Sequence, residues 1–389
     1  MWGCGGSIGV VKSDRAARSD SAATTSHMTA PAHNDSTDAV DRECMVRAIA
    51  AASTVRCITS PNPWVGAVVR SPDGSMFTGA TEAPGGAHAE VVALRDAGDA
   101  AAGATLYVTL EPCSHTGRTG PCTAAIIDAG IKRVVVGVVD PDEHVSGTGV
   151  EQLRAAGIDV VIGVKADHVA AQLTAYLQHR RTGRPYVVLK LAATLDGGTA
   201  APNGSSQWIT SPEARADGHR LRAESDAILV GAGTIRRDDP SLTVRDYRPP
   251  VLPADGNADP LRVVLGSVDE SARVQPCYST SGNLGDVLDD LGSKGVLQLL
   301  VEGGANVAGD FHRAGLVDRY VIYTAPALFG GDDAKGIFGG NGAWDISEVR
   351  RGTFVAVERV GADLRIEMVP DRPVDDVDGT DLAAGEGGH

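Results

Sequence analysis

His88-Ala89-Glu90, Pro112-Cys113 and Cys122 bring three soft-metal ligands and one carboxylate into a short stretch of chain. A catalytic zinc takes three protein ligands and keeps a fourth position for water, and His88, Cys113 and Cys122 supply the three. Glu90 lies two residues past His88; on a helix that is a rotation of about 200°, away from the face of the histidine. It is therefore expected beside the metal's water, where a carboxylate takes a proton and delivers it to a leaving amine. The chemistry so predicted is hydrolytic.

A Glu that shuttles protons without ligating, followed by a Pro-Cys pair, is the pattern of zinc-dependent deamination. In its commonest form two residues separate the cysteines, whereas here eight do, residues 114–121. That loop is polar, glycine-rich and cationic. If it reaches over the pocket, His115 and Arg118 meet a polar or anionic substrate; otherwise it is a surface excursion. The pattern around the ligands predicts a buried strand over 106–110 ended by Glu111-Pro112, a helix over 123–128, and a helical run over 87–97 opened by His88. The ligands then cluster at strand ends and helix N-termini, where partial positive charge favours thiolate.

The chain has 389 residues, 42% of them apolar, enough for two domains with ordinary cores. Its formal charge of −15, from 35 basic and 50 acidic residues, argues against nucleic acid and anionic membranes and for a small-molecule substrate. The other cysteines, Cys4, Cys44, Cys57 and Cys277, are too scattered for a disulfide framework, which fits a reducing cytoplasm. Residues 1–37 have no apolar run suited to a signal peptide and read as a disordered extension, with Met28 an alternative start. A helix is expected from near Asp38, with Val40, Cys44, Ala48, Ile49 and Ala52 on one face. The acidic, Gly-rich residues 370–389 read as a disordered tail.

Between the tails strand and helix patterns alternate, which predicts an α/β fold. Strands are expected at 65–70, 106–110, 133–138 and 160–163, then at 186–192, 227–231, 262–265, 298–302 and 319–325. A basic, turn-forming stretch, residues 179–185, marks the boundary between a domain at 38–183 and one at 184–369. The halves show no internal repeat.

The second half carries other signals. Gly303-Gly304-Ala305-Asn306 follows the strand at 298–302 and precedes a helix expected near Val307, a seat for phosphate. Neither it nor Gly231-Ala232-Gly233 completes the G-x-G-x-x-G fingerprint, so a Rossmann domain is not supported, and a lone Gly pair is more often a structural turn. Ser211 and Pro212 start a helix running to Arg222. The stretch 234–240, continuing through Leu242 to Arg245, puts cations beside turn residues, as a phosphorylated substrate needs; alone it reads equally as a solvated charged loop.

Taken together these words resemble one family, the bifunctional riboflavin-biosynthesis enzymes that join a diaminohydroxyphosphoribosylaminopyrimidine deaminase to a 5-amino-6-(5-phosphoribosylamino)uracil reductase. Pro61-Asn62-Pro63-Trp64-Val65-Gly66, His88-Ala89-Glu90, Glu111-Pro112-Cys113-Ser114-His115 and Gly117-Arg118-Thr119 resemble the deaminase half. Lys190-Leu191, Leu195-Asp196-Gly197, Ser206-Gln207-Trp208-Ile209-Thr210, Asp238-Asp239-Pro240 and Glu302-Gly303-Gly304 resemble the reductase half. The eight-residue gap is the family's own spacing. The resemblance implies an N-terminal cytidine-deaminase-like three-layer α/β domain and a C-terminal dihydrofolate-reductase-like α/β domain. It implies Zn2+ on His88, Cys113 and Cys122 with Glu90 catalytic, and NADPH delivering hydride to C1′ of the ring-opened ribose to give a ribityl chain.

Carried over by position, Ala192, Trp208, Thr234, Asp238, Ser267, Gly304, Ala305, Asn306, Val307, Ala308, Gly309 and Asp310 are implied as cofactor contacts. Ser206, Arg222, Leu242, Arg245 and Glu302 are implied as substrate contacts, with Lys190 beside them. The implied partners are small phosphoribosylated pyrimidines, and a homo-oligomer is compatible. Gly198 departs from the family's basic residue after Leu-Asp-Gly, and Asp142-Glu143 replaces an Asn-Pro pair, which puts local loop geometry in question. Three rivals remain: a deaminase whose second half only binds nucleotide, a nucleic-acid base deaminase, and a non-enzymatic metal protein. The acidic balance opposes the second, and the third predicts that losing Glu90 costs no activity.

Overall fold

The structure is a computed structural model that describes residues 35–115, 120–142 and 146–371. The extension expected at 1–37 lies outside it up to residue 34, as does the tail from residue 372. Helix α1 spans Asp35–Thr54 and so begins ahead of the expected Asp38. It lays Cys44, Met45, Ala48 and Ala52 on the sheet below. The approach is close because β1, Gly66–Arg70, starts with glycine: a Cβ on Gly66 would stand 1.9 Å from the Ala48 carbonyl oxygen. Asp41 of the same helix is buried, and Arg133 satisfies it with two hydrogen bonds of 2.8 and 2.7 Å.

After β1 come β2 (Met76–Ala80), α2 (Ala89–Ala97), β3 (Thr105–Leu110), α3 (Cys122–Asp128), β4 (Arg133–Val138), α4 (Thr148–Ala155) and β5 (Asp159–Ile162). The strands make a five-stranded sheet in the order β2-β1-β3-β4-β5. Its β1 runs antiparallel to both neighbours, while β3, β4 and β5 are parallel. Val134, Val135 and Val136 are all buried, as a strand covered on both faces requires. Parallel β3 and β4 open their carboxyl ends on one edge, where such sheets place ligands.

Helices α5 (Ala166–Gln172) and α6 (Thr174–Thr182) lead into the second sheet. The expected basic turn at 179–185 is corrected here: His179, Arg180 and Arg181 form the last turn of α6, where cations complement the helix dipole. Gly183, at φ 72°, stops the helix in the left-handed conformation.

The second half runs through β6 (Tyr186–Thr194), β7 (Gly198–Ala200), α7 (Pro212–Ala223), β8 (Ala227–Gly231), α8 (Ala232–Asp238), β9 (Leu261–Leu265), β10 (Tyr278–Thr280), α9 (Leu284–Ser293) and β11 (Gln298–Val301). It ends with α10 (Ala305–Arg313), β12 (Arg319–Ala325), the short β13 (Lys335–Gly336), β14 (Gly352–Val360) and β15 (Asp363–Pro370). Eight strands form one sheet, β10-β9-β8-β11-β6-β12-β15-β14. It is parallel from β10 to β12 and antiparallel beyond. Side chains alternate along β6 as a strand demands. Val187, Leu189 and Leu191 enter one core, while Tyr186 and Val188 enter another that is continuous with the core of the first sheet.

Two local expectations change in this half. The cationic stretch at 234–240 is mostly the helix α8, ended by Asp239 at φ 37°. The helix expected near Val307 begins at Ala305, which makes Gly304 its N-cap.

Candidate active sites

Strand β3 ends at Leu110, and Pro112 turns the chain so that Cys113 stands at the sheet's carboxyl edge. Cys122 opens α3 and His88 is the N-cap of α2, so both ligands sit at helix N-termini. The three donor atoms lie within 4.8 Å of one another, with His88 Nδ1 3.2 Å from Cys122 Sγ and 3.6 Å from Cys113 Sγ. A hydrogen bond from the Cys122 thiol holds Cys113 well below the usual thiol range, with His88 adding to the effect, while Cys122, which keeps the proton it donates, is pushed up. One proton is thus shared where a dication satisfies both sulfurs, so the donor set fits zinc.

Glu90 follows on α2 with 3% of its surface exposed. Burial pushes its carboxyl up to about 7 against the pull of His88. It lines a cavity of about 430 Å³ that also touches His88, Cys113, His115 and Asn62. Arg118 and Glu143 lie outside the described residues, so His115 alone of the two loop residues is placed, and it faces the cavity.

Glu111, which in the sequence is only one residue of a motif, has a task of its own in the structure. Its buried carboxylate accepts N–H groups from Asp140 at 3.3 Å, Gly147 at 3.0 Å and Val150 at 3.0 Å. It thereby ties the loop after β4 and the first turn of α4 to the ligand strand. Only a glycine fits above it, since a Cβ on Gly149 would stand 2.0 Å from the Pro112 carbonyl oxygen.

The second constellation gathers at the carboxyl edge of β6, β8, β9 and β11. Glu302, just past β11, takes two parallel hydrogen bonds from Arg222 of α7, at 2.8 and 3.0 Å. Lys190 Nζ of β6 is 3.8 Å from the same carboxylate, so the residue weighed least in the sequence lies against the centre of the cluster. Burial would raise Glu302, but the charges of Arg222 and Lys190 outweigh it and hold the carboxyl at about 2. Arg245 bonds the hydroxyls of Ser241 and Thr243 at 2.8 and 3.1 Å. Leu242 between them is buried at φ 54°.

His219 was missed. Its Nδ1 accepts the Arg245 backbone N–H at 3.1 Å, and burial with the nearby Arg222 and Arg245 lowers its pKa, so the ring is neutral there. Nothing local in the sequence ties residue 219 to residue 245.

Gly304 caps α10 without a side-chain bond, which leaves the first-turn N–H groups of Ala305, Asn306 and Val307 free of a side-chain cap. Thr234 Oγ1 is 3.6 Å from where a Gly304 Cβ would be. Ala308 is fully buried, and a Cβ on Gly309 would stand 2.1 Å from the Gly339 carbonyl oxygen, so these two pack the helix against the chain and can offer a ligand only backbone. Asp310 is paired with Arg313 at 2.7 Å. Ala192 lies on β6 near its carboxyl end, and Ser206, Asp238 and Ser267 are exposed. Trp208 is 70% exposed, with the Arg215 guanidinium 4.5 Å from its ring centre.

Residues 38–138 match the cytidine and deoxycytidylate deaminase zinc-binding region, and residues 185–366 match the RibD C-terminal domain. The riboflavin biosynthesis protein RibD of Mycobacterium tuberculosis H37Rv is 44% identical over 344 residues, covering 84% of this chain and 96% of the relative. The chain belongs to the RibD family.

RibD of Escherichia coli K12 is 37% identical over 85% of this chain and 99% of its own. The structure of Acinetobacter baumannii RibD superposes with a TM-score of 0.80 at 35% identity, covering 86% of this chain and all of that one. A Thermotoga maritima structure described as a diaminohydroxyphosphoribosylaminopyrimidine deaminase/5-amino-6-(5-phosphoribosylamino)uracil reductase gives 0.76 at 34% identity, covering 86% of this chain and all of its own. As in that family, the first half is a cytidine-deaminase-like domain bearing the zinc deaminase site. The second is the dihydrofolate-reductase-like domain of an NADPH-dependent reductase. The chain is a bifunctional enzyme of riboflavin biosynthesis, a hydrolase and an oxidoreductase.

Proposed function

We propose that the zinc site deaminates 2,5-diamino-6-(5-phosphoribosylamino)pyrimidin-4-one. The resulting 5-amino-6-(5-phosphoribosylamino)uracil then has its ribosyl chain reduced to ribityl at the second site. The observation that carries this reading is the meeting of His88, Cys113 and Cys122 within 4.8 Å around a cavity into which the buried Glu90 opens. His88, Cys113 and Cys122 would hold the zinc, which would supply a water acidic enough to act as nucleophile at neutral pH. Glu90 takes the water's proton on its carboxylate and hands it to the amine that leaves as ammonia. Burial keeps bulk water from competing for that proton.

In the reductase, bound NADPH would supply the hydride. The uncapped N–H groups at the start of α10, with Thr234 beside them, receive a cofactor phosphate; Ala192, Trp208, Asp238, Ser267 and the residues through Asp310 complete the cofactor's surroundings. Arg222 and Glu302 orient each other and the substrate, with Ser206, Leu242 and Arg245 at its other end. The domains divide at 183/184, where α6 gives way to β6.

The chain is read as cytoplasmic, supported by five unpaired cysteines among the described residues. Its net charge of −15 supports a small-molecule substrate in preference to nucleic acid. No described helix is long and apolar enough to cross a membrane. A homo-oligomer is supported by β14, an edge strand whose Phe354, Val355 and Val357 are 67%, 52% and 58% exposed; such an edge is a template for a second copy.

Substituting His88 by Ala, or either Cys113 or Cys122 by Ser, tests the assignment by metal analysis and by both activities. Loss of zinc and of ammonia release, with NADPH oxidation on the aminouracil ribotide kept, is expected. Zinc retained at full stoichiometry in all three would contradict it.

A further inference from the structure

Arg180 faces the zinc-site cavity, although it belongs to α6, the helix that leads out of the first sheet toward the second. Among the described lining residues it is the one arginine or lysine, in the company of four carboxylates. Its Nε stands 3.7 Å from Asp142 Oδ2, beyond hydrogen-bond reach, and is shielded from water with no hydrogen-bond partner. The guanidinium carbon lies 5.0 Å from the centre of the Tyr176 ring, and Tyr176 is itself fixed by its hydroxyl, which donates to Asp140 at 3.0 Å. The cation is therefore aimed by a ring and a carboxylate while at least one of its donors stays unused.

A role in the helix dipole does not account for this. His179 and Arg181 share the last turn of α6, and a cation serving only the dipole has no reason to turn into a cavity and leave a donor unpaired, which is costly. An anion with several acceptor oxygens completes the arrangement, and the phosphoribosylated substrate carries one.

We propose that Arg180 receives the 5′-phosphate of the deaminase substrate, presenting its forked N–H donors to the phosphate oxygens, and that Asp142 keeps it aimed before substrate arrives. The assignment rests on the deaminase reading above and adds to it the residue that selects ribotide over riboside.

The test uses the full chain, its Arg180→Gln and Arg180→Lys variants, and two substrates, the diaminopyrimidinone ribotide and its dephosphorylated riboside, with ammonia release followed against concentration. Arg180→Gln is expected to raise KM for the ribotide ~10-fold or more, as loss of a charged hydrogen-bonding group does, with little change in kcat. Lysine keeps the charge but not the fork and recovers part of the loss. On the riboside all three proteins should give the same kcat/KM. An unchanged KM for the ribotide, or an equal loss on the riboside, would overturn the assignment. NADPH oxidation on the aminouracil ribotide and zinc content identify a misfolded glutamine variant, in which case the lysine variant decides by the same comparison. No ammonia from the ribotide with the unaltered chain would overturn the deaminase reading, and this assignment with it.

Discussion

Glu90 is a buried carboxylate and Glu302 a mostly buried one, its side chain 10% exposed, yet their surroundings drive them in opposite directions. Glu90 is raised by burial, and Glu302 is held at about 2 by two cations. For Glu90, exchange to glutamine removes the proton carrier while leaving the ligands in place. Ammonia release should fall by ~10²–10⁴ with zinc content unchanged, as metal analysis and steady-state rates will show. For Glu302 the consequence is in stability. Its folded pKa lies below the unfolded value of about 4.3, so its contribution is present above that pH and is lost as the pH falls toward about 2. Glu302→Ala leaves the mostly buried Arg222 with the Thr243 carbonyl but no carboxylate to balance its charge, and urea unfolding at pH 7 should show a loss approaching about 3 kcal/mol. The difference from the unaltered chain should shrink between about pH 4 and pH 2. The zinc ligands and Glu90 were legible because their chemistry is written in short words. His219 and Lys190 were harder to read, because what gives them significance is contact with residues 26 and 112 positions away.

Strand and helix ends carry the next level. The alternation of apolar runs located β4, β8 and β12 to the residue, because buried parallel strands are continuous apolar stretches. Two basic stretches misled, since arginines read as turn or surface signals equally suit the last turn of a helix, as in α6 and α8. Close approach between elements was invisible, because it depends on what glycine lacks. At Gly309 a methyl group would stand 2.1 Å from the Gly339 carbonyl oxygen. Gly309→Ala should push that segment from α10, disturb the helix start and raise KM for NADPH, with deamination untouched; an unchanged KM would remove α10 from the cofactor site. At Gly66 the same change meets α1 at 1.9 Å, and overpacking there should lower the melting temperature of the deaminase half, at a cost of about 1–3 kcal/mol.

For the whole molecule, one chain holds two sheets with two chemistries. Sequence order alone separated the halves, but not how they meet. The core of the first sheet continues into one face of the second, and Arg56, stacked 3.3 Å over Trp64, bonds Gln298 of β11 at 2.9 Å. Among the described residues the two sites share none, so removing zinc with a chelator should stop ammonia release and spare NADPH oxidation on the aminouracil ribotide. The most direct measurement of the whole account gives the chain the diaminopyrimidinone ribotide with NADPH and follows both products, with Glu90→Gln alongside. Ammonia followed by equimolar NADPH loss is predicted, both absent in the variant, in which NADPH loss alone returns when the deaminated ribotide is supplied. Ammonia with no NADPH loss, or NADPH loss from the diamino substrate in the variant, would contradict two sequential sites.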